Sequence, residues 1–176
     1  RNSRLPGRLF PFRGPSPTGF WRREPTMNAD QMWAQYCEVS GTDPATPHDV
    51  WKFCDGVPAA DELADLVLCG RKTATSSVLV SFGPGEEVPS VGCLSVICRD
   101  SGEAALVIRD THLSIVPFDE VGPEHTFREG EGTRSLAEWR EVHRRAFAPD
   151  YERLGLPFDE HGDCVLEEFE LVYPRG

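Results

Sequence analysis

Apolar residues fall at helical spacing in some stretches of this chain and in short β-branched runs in others, which divides it into elements. Trp33, Tyr36 and Val39 predict a short helix opening at Asn28 or Asp30, whose side chain caps it. A second helix is predicted from Thr46-Pro47-His48-Asp49 to a stop at Gly56, because Thr46 and Asp49 have capping-box spacing with proline at the first helical position. The third runs from Asp61 to Cys69, with Leu63, Leu66, Val67 and Leu68 between acids and Gly70 as its C-cap. Ser135 and Glu138 form another capping box, opening a helix through Leu136, Trp139, Val142 or His143 and Phe147 that ends before Pro149.

Four runs read as strands: Thr73 to Phe82, Cys93 to Arg99, Ala104 to Val116, and Cys164 to Tyr173. Asp100-Ser101-Gly102-Glu103 is the turn of a hairpin between the middle two. Pro117 ends the long strand, Phe118 to Val121 forms a helical turn, and Phe127 to Ser135 reads as a glycine-rich loop. Several helices around mostly antiparallel strands predict an α+β domain, and the spread of strands suits a closed barrel.

The length of 176 residues fits one domain, assigned to residues 27–176. Residues 1–26 lack hydrophobic periodicity and read as a disordered basic tail, either non-native or a nucleic-acid-binding arm. They hold six arginines against one acid, a net of +5; with the whole chain at −11, the remainder carries −16. Such an acidic body repels polyanions, so extended phosphate contacts need a local basic groove. No apolar run reaches membrane-spanning length, and the six cysteines lack a C-x-x-C pair, so reduced thiols in a cytoplasmic protein are expected. The histidines form no metal-ligand motif, and Glu160-His161-Gly162-Asp163 reads as a turn; neither a metal nor a cofactor is expected.

Candidate chemistry concentrates in Gly70-Arg71-Lys72-Thr73-Ala74-Thr75-Ser76, where a helix hands over to a strand. A hydroxyl is a poor nucleophile at neutral pH, and a lysine activates it only from a pocket that makes its proton transferable. Lys72 and Thr75 point to opposite faces of an ideal strand, so they converge only at a turned or bulged junction. In Glu129-Gly130-Glu131-Gly132, glycines on both sides of Glu131 let the backbone approach a partner closely and aim a carboxylate inward. The alternative is an exposed junction lysine and a solvated loop.

Four pieces resemble the ASCH domain family, small PUA-like β-barrel proteins linked to RNA metabolism, and in particular its YhfF-like branch. They are G-R-K-T-A-T-S at 70–76, V-G-C-L-S-V-I at 91–97, V-P-F-D-E-V at 116–121, and E-G-E-G-T-R-S-L-A-E-W-R-E-V-H at 129–143, in the family's order. The resemblance spans roughly residues 30–173 and implies a barrel with a cleft lined by the G-x-K-x-x-T junction and the acidic loop. In the family's bacterial amidohydrolase members, which cleave the acyl group from N4-acetylcytidine, a lysine, a threonine and a glutamate form the catalytic set. Matched residue by residue, these fall on Lys72, Thr75, and Glu131 first or Glu129 second, because the loop here is longer. Arg71, Thr73 and Ser77 beside them are candidates for binding substrate, although Ser77 departs from the arginine that the small members carry there.

The leading expectation is therefore a metal-independent hydrolase of an amide or acyl bond in a modified nucleoside, with Trp51, Trp139 or Phe118 stacking on the base. The alternative is a single-stranded RNA-binding or RNA-cleaving domain, in which Lys72, Arg71, Arg109 or Arg128 contacts phosphate and His112 or His143 serves as base. A non-enzymatic module whose acidic loop binds a basic partner is the third.

Overall fold

The Asn28 side chain accepts a hydrogen bond from the Gln31 amide, the Gln31 side chain accepts one from the Asn28 amide, and this reciprocal cap opens α1 (Ala29–Ser40). In a computed structural model that describes residues 26–54 and 59–174, α1 is followed by β1 (Asp49–Trp51), α2 (Ala59–Leu68), β2 (Ala74–Val78), β3 (Leu94–Cys98), β4 (Ala104–Pro117), α3 (Pro123–Glu129), α4 (Leu136–Arg153) and β5 (Asp163–Tyr173). The predicted basic tail lies, but for its last residue, outside the described residues.

One five-stranded sheet runs in the order β1-β3-β4-β5-β2. Every pair is antiparallel except β1 with β3, and bulges after Val107 and Asp110 bend β4 against β5. The sheet curls into a half-barrel whose edges, β1 and β2, are not hydrogen-bonded to each other. The α+β, mostly antiparallel reading holds, while closure stops one seam short.

Alternation along the strands sorts the core. Leu94, Val96, Val107 and Val172 pack against Met32, Trp33, Tyr36 and Cys37 of α1 on the convex face. On the concave face Ile97, Leu106, Ile108 and Phe169 meet Phe53 and α2. Toward the other end Val78, Cys164 and Leu166 pack with Phe118, Val121 and the Trp139, Phe147 and Tyr151 side of α4. Two-residue alternation places Ser95, Asp110 and Glu167 on the same concave face as Ile97, Ile108 and Phe169.

Four predicted elements differ. The helix expected over 46–56 is not formed in its described part, 46–54: Asp49, Val50 and Trp51 pair in parallel with Ser95, Val96 and Ile97, and three residues on a sheet edge carry no period to announce them. The predicted loop begins with a helix, since α3 extends through Glu129, with Pro123 in its first turn and Gly130 in the left-handed region at its end. Helix α4 continues past Pro149 to Arg153 because buried Tyr151 ties its last turn to Phe158 and the Phe118 cluster. The strand expected to reach Phe82 stops at Val78 and becomes a 3-10 turn. All six cysteines are free thiols, and no described helix is long and apolar enough to cross a membrane.

Candidate active site

The end of α2 sets Lys72. Gly70 adopts φ +74°, and the amides of Arg71 and Lys72 both return to the Leu66 carbonyl, so the chain turns sharply before entering β2. Thr73 then takes the Arg128 carbonyl through its amide at 2.8 Å and gives its own carbonyl to Phe169, docking the strand entrance against both α3 and β5. Arg71 closes the junction: Nε donates to the Gly130 carbonyl at 2.7 Å and Nη2 to the Gly132 carbonyl at 2.8 Å. The guanidinium thus holds the acidic turn over the lysine.

Lys72 is 1 % exposed, a position an ammonium occupies only with partners. Its Nζ lies 2.6 Å from Glu131 Oε1, 4.0 Å from Glu129 Oε2 and 5.1 Å from the Phe53 ring centroid. Both glutamates in the sequence motif therefore face the lysine, in different settings. Glu131 is 30 % exposed and lines a cavity; Glu129, 1 % exposed, is the hub beneath it. Oε1 of Glu129 accepts from Trp139 Nε1 at 2.9 Å and from the Ser76 hydroxyl, with His125 Nε2 at 3.1 Å. His143 Nε2 stands 3.2 Å from Oε2, and its Nδ1 donates to the Trp139 carbonyl. Burial alone would push the Glu129 carboxyl up; contacts from His125 and His143 and the charge of Lys72 outweigh it and hold the group well below the ordinary range.

Ser76, His125 and Glu129 have the residue types of a nucleophile relay but not its wiring. His125 Nε2 meets both the Ser76 hydroxyl, at 2.9 Å, and Glu129, so the imidazole does not pass a proton from one ring nitrogen to the other. The trio reads instead as a brace fixing the inner carboxylate.

Two cavities adjoin across β2, sharing Phe53, Cys54, Thr75, Ser76 and Ser77 as lining. The larger, about 540 Å³, is bounded by Glu129, Glu131 and His143. The smaller, about 340 Å³, opens into the gap between β1 and β2. Thr75 faces both and makes no side-chain hydrogen bond among the described residues, and the Ser77 hydroxyl is buried without a partner.

The remaining sequence candidates sit apart from these cavities or are already engaged. Arg109 pairs with Glu170, and Arg128 pairs with Glu124 and Glu168 on the surface. The Trp139 ring is stacked between Phe118, at 5.3 Å, and His143, at 4.1 Å, so its contribution is the Nε1 donor. Phe118 is itself buried under Trp139, Phe147 and Phe158, whereas Trp51 lines the smaller cavity. His112 is exposed on β4.

The model of the ASCH domain matches residues 49–173, from the first strand of the half-barrel to the last. The chain belongs to the ASCH domain family. Its fold superposes with a TM-score of 0.73 on an ASCH domain from Lactobacillus crispatus JV V101, 32 % identical, covering 81 % of this chain and 92 % of that one. A second crystal structure, of a protein from Enterococcus faecalis V583, gives a TM-score of 0.72 at 30 % identity over 81 % and 88 % of the two chains. No curated protein matches the chain.

Residue-type reasoning about this ASCH domain overlooked Ser76, His125 and the acids Asp49, Asp110 and Glu167 of the smaller cavity. The spacing of His125 and Glu129, four apart on one helical face, and of Trp139 and His143, likewise four apart, was the available signal.

Proposed function

We propose that this ASCH domain is a hydrolase that cleaves an amide or acyl bond of a modified nucleoside of the N4-acetylcytidine type, with its acid–base chemistry carried by side chains. The observation behind the reading is the buried Lys72 held 2.6 Å from a cavity-lining carboxylate, in a chain whose Thr75 lines the same cavity. Transfer of the Lys72 proton to Glu131 leaves an amine able to accept the Thr75 proton as the hydroxyl oxygen attacks the acyl carbon. Glu131 then returns its proton to the departing nitrogen, the C–N bond breaks, and water releases the acid from Thr75. Glu129, fixed by Ser76, His125 and Trp139, sets the charge around the amine throughout.

The electrostatics favour a small substrate over a polynucleotide. Arg71, Arg109 and Arg128 are all engaged with carbonyls or carboxylates, and the smaller cavity is acidic. Incubating the chain with N4-acetylcytidine and following free cytidine by chromatography tests the proposal. Turnover that falls at least 100-fold in Lys72→Met and in Thr75→Val is expected. Absence of turnover in the unaltered protein, together with binding of single-stranded RNA that weakens steeply with salt, would replace this reading with RNA recognition.

A further inference from the structure

The smaller cavity carries a charge pattern that the hydrolytic cluster does not use. Asp49, Glu87, Asp110 and Glu167 line it, and among the described residues no lysine, arginine or histidine does. Asp110 and Glu167 are 4 % and 8 % exposed, yet neither side chain has a hydrogen-bond or ion-pair partner among the described residues. Such burial of unpaired carboxyls opposes folding, and their charges repel one another. A separate observation comes from Ser95, 5 % exposed on the same concave face, which lines the cavity and whose side chain likewise has no hydrogen-bond partner among the described residues. Buried polar groups left open toward a cavity mark where a ligand's own donors belong. Opposite them Trp51, Phe53 and Phe82 supply aromatic walls, and the volume of about 340 Å³ suits one ring system.

We propose that this cavity, between the β1 and β2 edges of the sheet, binds a flat nitrogen-rich group through an amidine-type edge, two nitrogens on one carbon of which at least one is an amino donor. Asp110 and Glu167 engage the nitrogens, Ser95 takes a further polar atom, and Trp51 covers a ring face. Aromatic walls with acidic ends select against anionic edges and against rings that offer carbonyl acceptors in place of amino donors. A free amidine carries N–H donors on both nitrogens; an aminopyrimidine base carries them on its amino group, and its ring nitrogen accepts, from a carboxyl in its protonated form. Because Thr75 and Ser77 line both cavities, a base held here lies beside the catalytic cluster; in that form the inference rests on the hydrolase reading and names the part of the substrate that is recognised.

Calorimetric titration of the unaltered full chain with cytidine, uridine and benzamidine tests the site without requiring chemistry, since none of these carries an acyl group. Cytidine or benzamidine is expected to bind at least 10-fold more tightly than uridine, which offers a carbonyl where cytidine has an amino group. Binding by cytidine but not benzamidine assigns a nucleobase, and the reverse assigns a free amidine. Glu167→Gln and Asp110→Asn, close in shape to the native side chains and checked for folding by circular dichroism, are each expected to weaken the tighter ligand at least 10-fold. Equal binding of uridine and cytidine, unchanged affinity in both variants, or no binding by any of the three overturns the proposal. Selective binding without N4-acetylcytidine hydrolysis leaves the site standing and removes the hydrolase, whereas hydrolysis with unselective binding does the opposite.

Discussion

Gly130 rests directly on the backbone of Arg71: a β-carbon built on it would stand 2.3 Å from the Arg71 carbonyl oxygen. The glycine also has φ +76°, which alone costs an ordinary side chain about 1–2 kcal/mol. Gly130→Ala is therefore expected to cost more than that in urea unfolding, and to lower hydrolysis of an acylated nucleoside by lifting the acidic turn from Lys72. An unchanged midpoint would show that the close approach is not needed.

Trp139 contributes its indole N–H and its ring separately. Trp139→Phe keeps an aromatic between Phe118 and His143 but removes the donor to Glu129, for an expected loss of about 1–2 kcal/mol. Trp139→Leu, which removes both, is expected to lose clearly more. Equal losses in the two variants would mean that the ring contributes nothing beyond its donor, and an unchanged stability in Trp139→Phe that the hydrogen bond contributes nothing.

Glu129→Gln removes a buried negative charge from the midst of Lys72, His125 and His143, and an expected destabilisation of about 3 kcal/mol follows from breaking such a set. The pH dependence has a definite sign. A carboxyl held below its unfolded value stabilises the fold at neutral pH, and that stability drains away as pH falls below the ordinary glutamate range. Thermal melts from pH 7 down to pH 3 should thus fall more steeply for the native chain than for Glu129→Gln.

Asp110 and Glu167 act in the opposite sense. Burial, then repulsion from Asp49, pushes Asp110 up to about 6; burial, then Asp110 and Asp49, pushes Glu167 up to about 7. The folded chain therefore binds more protons than the unfolded one between their ordinary values and these, and stability falls as pH rises through that window. The double variant Asp110→Asn, Glu167→Gln is expected to be stabilised by about 1–2 kcal/mol at pH 8, after allowance for solvent in the open cavity, and to differ little at pH 4. A variant less stable than the native chain at pH 8 would contradict the charge repulsion.

The hairpin, the α4 cap and the Lys72 junction were legible because each depends on neighbours within a few residues: Ser135 accepts from the Glu138 amide as its spacing announces. The juxtaposition of Lys72 with both Glu129 and Glu131 was legible only as a choice between the two, since φ at Gly130 and the reach of Arg71 decide how the turn lies. Strand β1 was misread because three residues paired in parallel owe their conformation to β3 alone. Asp49, Asp110 and Glu167 were invisible as a group: they are scattered along the chain, and only the curl of the sheet gathers them.

The unjoined seam of the half-barrel gives the fold an unusual sensitivity to occupancy. Strand β1 has three residues and, among the described residues, a single strand neighbour, while β2 on the far margin has only β5. A molecule seated between them bridges two margins that share no backbone bond, standing in for the missing interstrand contacts. Amide protons of β1 would then exchange with solvent more slowly when the gap is filled, reporting a guest before any bond in it has changed.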